Sequence, residues 1–379
     1  MDTQFSKISK TGHIFKVYRG KFTSLSVVFK AGTLYEPENR KGVSHLMEHL
    51  ICKAVQKFDE RFINDCIDYN AVTSIDYVEF YFRGLREKLT PEFKKQIVKE
   101  LLGGFNITQE QFDTEKEIVT KEITDSFEDP FEGNQINCYY KFYDIVDPGG
   151  FPEHVAAFTL DEAKQMYADK FTKPLRIVEV ADKPTDFSDV EYSKDIPMPI
   201  ELRFKNTKKS RAKEILPANS GEKAHMFVFT TKTAKRTEYR YLRVGLEILM
   251  EGFNSPFMQE IREKRGLAYY IHSELQSVVD RTFVWFYAAT DKDKAEELKQ
   301  VFKDICRNVR TYLTKERFDM ALNRLNTARI IQKISLWKFT DRYTEYEHPH
   351  LPPKLHTIDY EKMVGIVEKY LYNIEVFEY

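Results

Sequence analysis

Residues 42–52 read GVSHLMEHLIC and place two imidazoles and a carboxylate within five positions. If this stretch is helical, His45 and His49 lie on one face, and Glu48 is close enough to reach whatever both rings bind. Neutral imidazoles hold Zn²⁺ while leaving a position for water, whose pKa the ion lowers, and a nearby carboxylate can take the proton. The pattern predicts a zinc site with a general base beside it.

The order His-x-x-Glu-His is the inverted form of a better-known zinc signature. A five-residue pattern also recurs by chance, and two histidines with a glutamate on a helix often form only a solvated face. A further ligand elsewhere in the chain is needed to choose between these interpretations.

A second acidic segment lies downstream, in residues 112–123, and its sequence indicates a helix with an apolar stripe. Glu115 and Glu122 are seven residues apart and share a face of that helix. They supply carboxylates of the kind that completes a zinc site, although both also suit the surface of an ordinary amphipathic helix.

Taken together, His45, Glu48 and His49 with the later pair Glu115 and Glu122 resemble the motif of the pitrilysin/insulinase zinc metallopeptidases, in a short two-domain form. The resemblance implies that Glu122 is the third zinc ligand and Glu48 the catalytic base. It also implies that Glu115 is an acidic residue that orients the ligands or assists the water.

Two further segments resemble the same family. Residues 252–269 predict a helix ended by Gly266 and then a strand, which can place Arg262 and Tyr269 side by side as donors to a carbonyl oxygen. In the family, this Arg and Tyr bind substrate. Asn70 and Ala71 are similar to a family segment at a sheet edge, where an extended peptide can add as a strand.

Composition narrows the range of partners and compartments. The chain has 379 residues and a formal net charge of −1, so no global field attracts nucleic acid or an anionic membrane. Its four cysteines are scattered without a Cys-x-x-Cys spacing, which indicates free thiols in a reducing compartment. No apolar run is long enough to span a membrane. These features predict a cytoplasmic protein without nucleic-acid or membrane partners.

Hydrophobic periodicity predicts an α+β fold of two tandem similar domains, each a mostly antiparallel sheet with helices packed on one face. The boundary is placed where Pro and charge increase, giving a zinc-binding domain over 1–182 and a second domain over 183–379, with a linker at about 183–223. The helix predicted at 238–250 occupies the place of the zinc helix but has no histidine, so we expect one Zn²⁺ per chain.

These features predict a zinc endopeptidase that acts on peptides or unfolded segments, since strand addition requires an extended substrate. The alternative is a noncatalytic assembly or docking subunit, because the family also contains members that lost the ligands. Long members of the family carry four such units, whereas this chain has two. We therefore expect a homodimer in which Arg262 and Tyr269 complete the partner's zinc site, with a heterodimer as the alternative.

Overall fold

The computed structural model describes residues 12–194, 222–278, 281–334 and 358–379. Their contacts divide the chain into two compact units. The first contains residues 12–125 and 146–194, and the second contains 126–145, most of 222–331 and 358–379. The proposed domain boundary at 182 stays a prediction.

Two five-stranded sheets form the centres of the two units. The strands, in chain order, are β1 (His13–Val17), β2 (Phe22–Phe29), β3 (Asp68–Thr73), β4 (Val78–Leu85), β5 (Arg176–Ala181), β6 (Lys223–Thr230), β7 (Ala234–Lys235), β8 (Ile271–Val278), β9 (Arg281–Asp291) and β10 (Ile374–Glu378). The first sheet has the order β1-β5-β2-β4-β3, in which only β1 and β5 pair in parallel. In the second sheet the order is β10-β6-β9-β7, with β8 also paired to β9, and all pairings are antiparallel.

Helices surround these sheets. They are α1 (Val43–Gln56), α2 (Asp59–Asn64), α3 (Pro91–Gly103), α4 (Gln109–Glu128), α5 (Glu132–Tyr143), α6 (Pro152–Ala156), α7 (Leu160–Lys170), α8 (Tyr239–Met250), α9 (Ala295–Arg307), α10 (Val309–Tyr312), α11 (Lys315–Ile334) and α12 (Tyr360–Leu371). The α+β class with two similar domains is confirmed. Within the described part of the chain, every helix is too short or too polar to cross a membrane.

The aromatic, alternating sequence of residues 69–82 predicts one continuous strand. That prediction is wrong, because the structure has a hairpin there. Strands β3 and β4 pair in antiparallel, and the Ser74 N–H donates to the Tyr77 carbonyl at 2.8 Å to close the turn. Ser and Asp favour turns because their side chains can bond nearby backbone groups, and Ser74 and Asp76 both lie in this one. The hairpin makes β3 the end strand of its sheet.

Helix α5 was not predicted, and it packs in the second unit although it precedes the linker. Its Phe142 ring stacks on Phe229 with centroids 5.3 Å apart, and its Tyr143 ring lies 4.4 Å from that of Phe283. Met226 and Val228, which alternate with Phe229 along β6, instead belong to the core formed with α8 and α9. Strand β6 is therefore buried on both faces, which explains its nearly continuous apolar sequence.

The start of α1 is fixed by a buried carboxylate. Both oxygens of Glu36 accept backbone N–H groups at the helix N-terminus, from Gly42 at 2.7 Å and from Ser44 at 2.5 Å. Gly42 has a φ of 101°, and a Cβ there would lie 2.1 Å from the Gly149 carbonyl oxygen, so no other residue fits without displacing the backbone. These contacts fix the residue at which α1 begins, and therefore the positions of His45 and His49 on it.

A buried ion pair attaches α3, which packs on α1, to β5, an interior strand of the first sheet. The Lys94 ammonium donates to Glu179 of β5 at 2.9 Å, and both side chains are almost fully buried. Burial would raise the pKa of Glu179, but hydrogen bonding with His13 and the charge of Lys94 outweigh it and lower that pKa to about 2. Glu179 is therefore ionised at neutral pH, and its charge pairs with Lys94 of α3.

Candidate metal centre

His45 and His49 share one face of α1, as their spacing predicts. Their ring centroids are 5.0 Å apart and the ring planes are nearly perpendicular. Glu122 of α4 approaches both rings, with its Oε2 atom 3.9 Å from His45 Nε2 and 3.7 Å from His49 Nε2. One ligand atom from each of the three residues lies within 4.8 Å of the others, so α1 and α4 together form a three-atom cluster.

This cluster suits Zn²⁺ in both chemistry and size. Two imidazole nitrogens and a carboxylate oxygen are the donors that catalytic zinc sites use, and three of them leave a fourth position open. Ligands about 2.0–2.2 Å from one tetrahedral ion lie about 3.4 Å apart, close to the distances from Glu122 to the two rings.

The electrostatics of the cluster favour a metal-binding protonation state. Burial and, to a lesser extent, the neighbouring His49 lower the pKa of His45, Glu122 opposes them, and the net pKa is about 4. His45 is therefore a neutral imidazole at pH 7, which is the form that binds a metal.

Glu115 contacts His49 at Nδ1, the ring nitrogen that does not face Glu122. Its Oε2 atom lies 3.1 Å from His49 Nδ1, and its Oε1 atom accepts a hydrogen bond from Lys53 at 2.7 Å. Burial alone would raise the pKa of Glu115, but the hydrogen bonds from Lys53 and His49 outweigh it and lower that pKa. An ionised Glu115 accepts a hydrogen bond best from a proton on His49 Nδ1, and His49 Nε2 faces Glu122.

Glu48 lies outside the three-atom cluster and contacts a different residue. Its Oε2 atom accepts a hydrogen bond of 2.6 Å from the hydroxyl of Thr73, at the end of β3. Burial raises the pKa of Glu48, and the hydrogen bond from Thr73 opposes that effect. Glu48 is thus a buried carboxylate, one residue before His49 on α1, with one oxygen held by a hydrogen bond.

Asn70 and Ala71 lie on β3, two to three residues before Thr73. Asn70 is exposed, and its Oδ1 atom accepts a hydrogen bond from the backbone N–H of Ala71 at 2.9 Å. Because β3 pairs only with β4 among the described residues, its second edge has no strand beside it. The structure thus places the predicted peptide-binding segment on a sheet edge, and on the strand that reaches Glu48.

Arg262 and Tyr269 come together within the second unit. The Arg262 guanidinium lies 4.7 Å from the centre of the Tyr269 ring and 5.7 Å from that of Phe253. Residues 258–263 form a π-helical turn, and Gly266 follows in a left-handed conformation with a φ of 57°. Tyr269 is 82% exposed, so its hydroxyl is accessible to a substrate or to another chain.

Sequence reasoning did not assign roles to two residues of the first unit that contact this centre. Lys53 follows His49 by four residues, and that helical spacing was a usable signal for its contact with Glu115. Thr73 lies 25 positions from Glu48, and no local pattern predicts their contact.

Family models describe both halves of the chain. Residues 17–136 match the model of the insulinase family, peptidase family M16, and residues 174–325 match that of the M16 inactive domain. The chain belongs to the insulinase family. Residues 17–136 include the three-atom cluster, whereas the residues that match the inactive domain include Arg262 and Tyr269.

Relatives in this family carry the name zinc protease. An uncharacterised zinc protease of Streptomyces coelicolor is 25% identical over 326 residues, covering 79% of this chain and 70% of that protein. An uncharacterised zinc protease of Bacillus subtilis is 24% identical over 300 residues, covering 74% of this chain and 71% of its own length.

Solved structures show the same fold at low identity. A protease from Helicobacter pylori has a TM-score of 0.79 and 15% identity, with 99% of both chains covered. A chain of complex III2 from Candida albicans has a TM-score of 0.76 and 13% identity, with 100% of this chain and 95% of that chain covered.

Proposed function

We propose that this insulinase-family chain is a zinc-dependent endopeptidase that hydrolyses peptides or unfolded protein segments. The observation that carries the proposal is the convergence of His45, His49 and Glu122 beside the buried carboxylate of Glu48. The relatives named zinc proteases support it.

In this function, His45, His49 and Glu122 hold the metal, and each remaining residue has a defined task. A bound zinc ion supplies Lewis acidity, which makes water more acidic and polarises a carbonyl group. Glu48 takes a proton from the attacking water and passes it to the leaving nitrogen of the substrate. Glu115 and Lys53 keep His49 in its ligand orientation.

The substrate is bound as an added strand. The open edge of β3 offers backbone groups to an extended peptide, with Asn70 and Ala71 on the strand that receives it. Folded proteins cannot present such a strand, so the substrate class is peptides and unfolded segments. Arg262 and Tyr269, which contact each other in the second unit, are the proposed donors to the substrate carbonyl.

A noncatalytic assembly or docking subunit is the second candidate function. It is favoured by the match of residues 174–325 to a domain described as inactive. That match does not include the three-atom cluster, so the candidates differ in whether the first unit binds metal and cleaves peptides.

Cleavage of a degenerate peptide mixture tests the proposal. The purified chain should cleave peptides, a zinc chelator should abolish cleavage, and added Zn²⁺ should restore it, since the ion is required for the reaction. Mass spectrometry of the products reports the cleavage sites. A zinc-loaded chain that leaves every peptide intact, with or without candidate partner subunits, would favour the noncatalytic function.

We also propose that the chain acts as a homodimer in the cytoplasm, in which Arg262 and Tyr269 serve the zinc centre of the partner chain. The proposal rests on the presence of both clusters in one chain. The cysteines are free thiols, as a reducing compartment maintains them.

Mixing two inactive variants tests the shared site. With random exchange, Glu48→Gln and Arg262→Ala chains form about half mixed dimers, each with one intact site, so about a quarter of wild-type activity should return. Either variant alone is the control. A mixture that stays inactive despite subunit exchange, measured by native mass spectrometry, would show that Arg262 does not act across chains.

A further inference from the structure

The hydrogen bond between Thr73 and Glu48 joins the end strand of the first sheet to the histidine helix. The Thr73 hydroxyl donates to Glu48 Oε2 at 2.6 Å, which is short and typical of a hydroxyl bonded to a carboxylate. Glu48 is 9% exposed, so little water competes for this bond. The contact fixes the carboxylate about its terminal torsion, which is otherwise broad.

Thr73 is itself held by contacts that do not involve Glu48. It pairs with Val78 at the closed end of the β3–β4 hairpin, whose turn is fastened by the bond from Ser74 to Tyr77. Two residues after Thr73, the Ile75 carbonyl accepts a hydrogen bond from the Leu34 N–H at 2.9 Å. The backbone that carries the hydroxyl is thus fixed independently of Glu48.

A second contact ties the same turn to the start of α1. A Cβ at Gly32 would lie 2.3 Å from the Ser74 carbonyl oxygen, so the loop before α1 runs directly against the turn. The Gly32 N–H donates to the Ser44 hydroxyl in the first turn of α1 at 2.9 Å. The loop at Gly32 therefore contacts both the turn after β3 and the helix that carries Glu48, and it fixes their relative position.

We propose that Thr73 is the positioning residue of the catalytic base: its hydroxyl engages one oxygen of Glu48 and leaves the other oxygen aimed at the attacking water. This inference rests on the proposed peptidase function. Since Thr73 lies on the edge strand proposed to bind the peptide, one strand sets both the substrate register and the orientation of the base.

Two substitutions separate the hydroxyl from the shape of the side chain. Thr73→Val keeps the volume and loses the donor, whereas Thr73→Ser keeps the donor and loses a methyl group. We expect Thr73→Val to lower kcat by about 10-fold to 100-fold, the range for loss of a hydrogen bond to a charged group. KM and zinc content should not change, and Thr73→Ser should recover most of kcat.

Thr172→Val is the matched control. The Thr172 hydroxyl donates to the Ala168 carbonyl near the end of α7. The variant therefore loses one hydrogen bond between uncharged groups. Its kcat should equal that of the wild type. Equal losses in Thr73→Val and Thr73→Ser would assign Thr73 a packing role and overturn the proposal, as would an unchanged kcat in Thr73→Val.

A structural measurement keeps the test independent of activity. In a crystal structure of Thr73→Val, the Glu48 carboxylate should leave its place beside β3, while in Thr73→Ser it should remain there. A Glu48 side chain that keeps its position in both variants would overturn the proposal. If the wild type cleaves no peptide, the peptidase function fails, and the two structures still decide whether Thr73 positions Glu48.

Discussion

Replacement of Glu48 by glutamine is expected to leave zinc binding intact and to lower kcat for peptide cleavage by about 10²-fold to 10⁴-fold. Glutamine has nearly the same shape, and its amide oxygen can still accept the hydrogen bond from Thr73. It cannot take a proton from water at neutral pH. The variant therefore removes proton transfer alone, which is measured as kcat on a metal-loaded protein.

Glu117→Gln is the matched control for that variant. Glu117 is exposed on α4, the helix that also carries Glu115 and Glu122, and it lies outside the three-atom cluster. Its kcat and zinc content should equal those of the wild type. Unchanged turnover in metal-loaded Glu48→Gln would exclude Glu48 as the base.

The parts of this site that lie close together in sequence could be predicted. A helix brings residues four apart onto one face, so the spacing of His45 and His49 was sufficient to place both rings together. The same argument placed Glu115 and Glu122 on one side of α4. A turn after Gly266 likewise accounts for the contact between Arg262 and Tyr269.

Contacts that depend on sheet order could not be predicted. The approach of Thr73 to Glu48 requires the β3–β4 hairpin, and the sequence was interpreted there as one strand. The N-terminal cap of α1 by Glu36 depends on a loop that folds back over six to eight residues. In each case the local pattern is compatible with several arrangements, and only tertiary pairing selects one.

The sheet against which helix α5 packs also could not be predicted from the sequence. The aromatic residues of α5, among them Tyr139 and Phe142, are compatible with a helix that covers either sheet. Nothing in their spacing says that the facing surface is made by Phe229 and Phe283, about 90–140 residues later in the chain. The contacts that place α5 are therefore long-range ones, which its own sequence does not specify.

The second large effect is expected at the ligands. A His45→Ala, His49→Ala double variant removes both nitrogen donors and leaves Glu122 as the one remaining residue of the cluster. Zinc content should fall from about one per chain to near zero, and peptide cleavage should disappear with it. Both histidines are partly exposed, so the fold should survive the change, which circular dichroism can check.

The matched control replaces two histidines outside the cluster by alanine. His225 bonds Tyr287 at 2.9 Å and His272 packs near Trp285, both in the second unit. A His225→Ala, His272→Ala double variant should keep its full zinc content, because neither residue belongs to the cluster. The comparison separates loss of ligands from any general effect of removing imidazoles.

The zinc content of the purified chain, measured by elemental mass spectrometry after equilibration with Zn²⁺ and removal of the excess, tests the metal centre most directly. We predict about one zinc per wild-type chain and close to none in the His45→Ala, His49→Ala variant. Stoichiometric zinc in that double variant, or none in the wild type, would contradict the assignment of His45, His49 and Glu122 as the ligands.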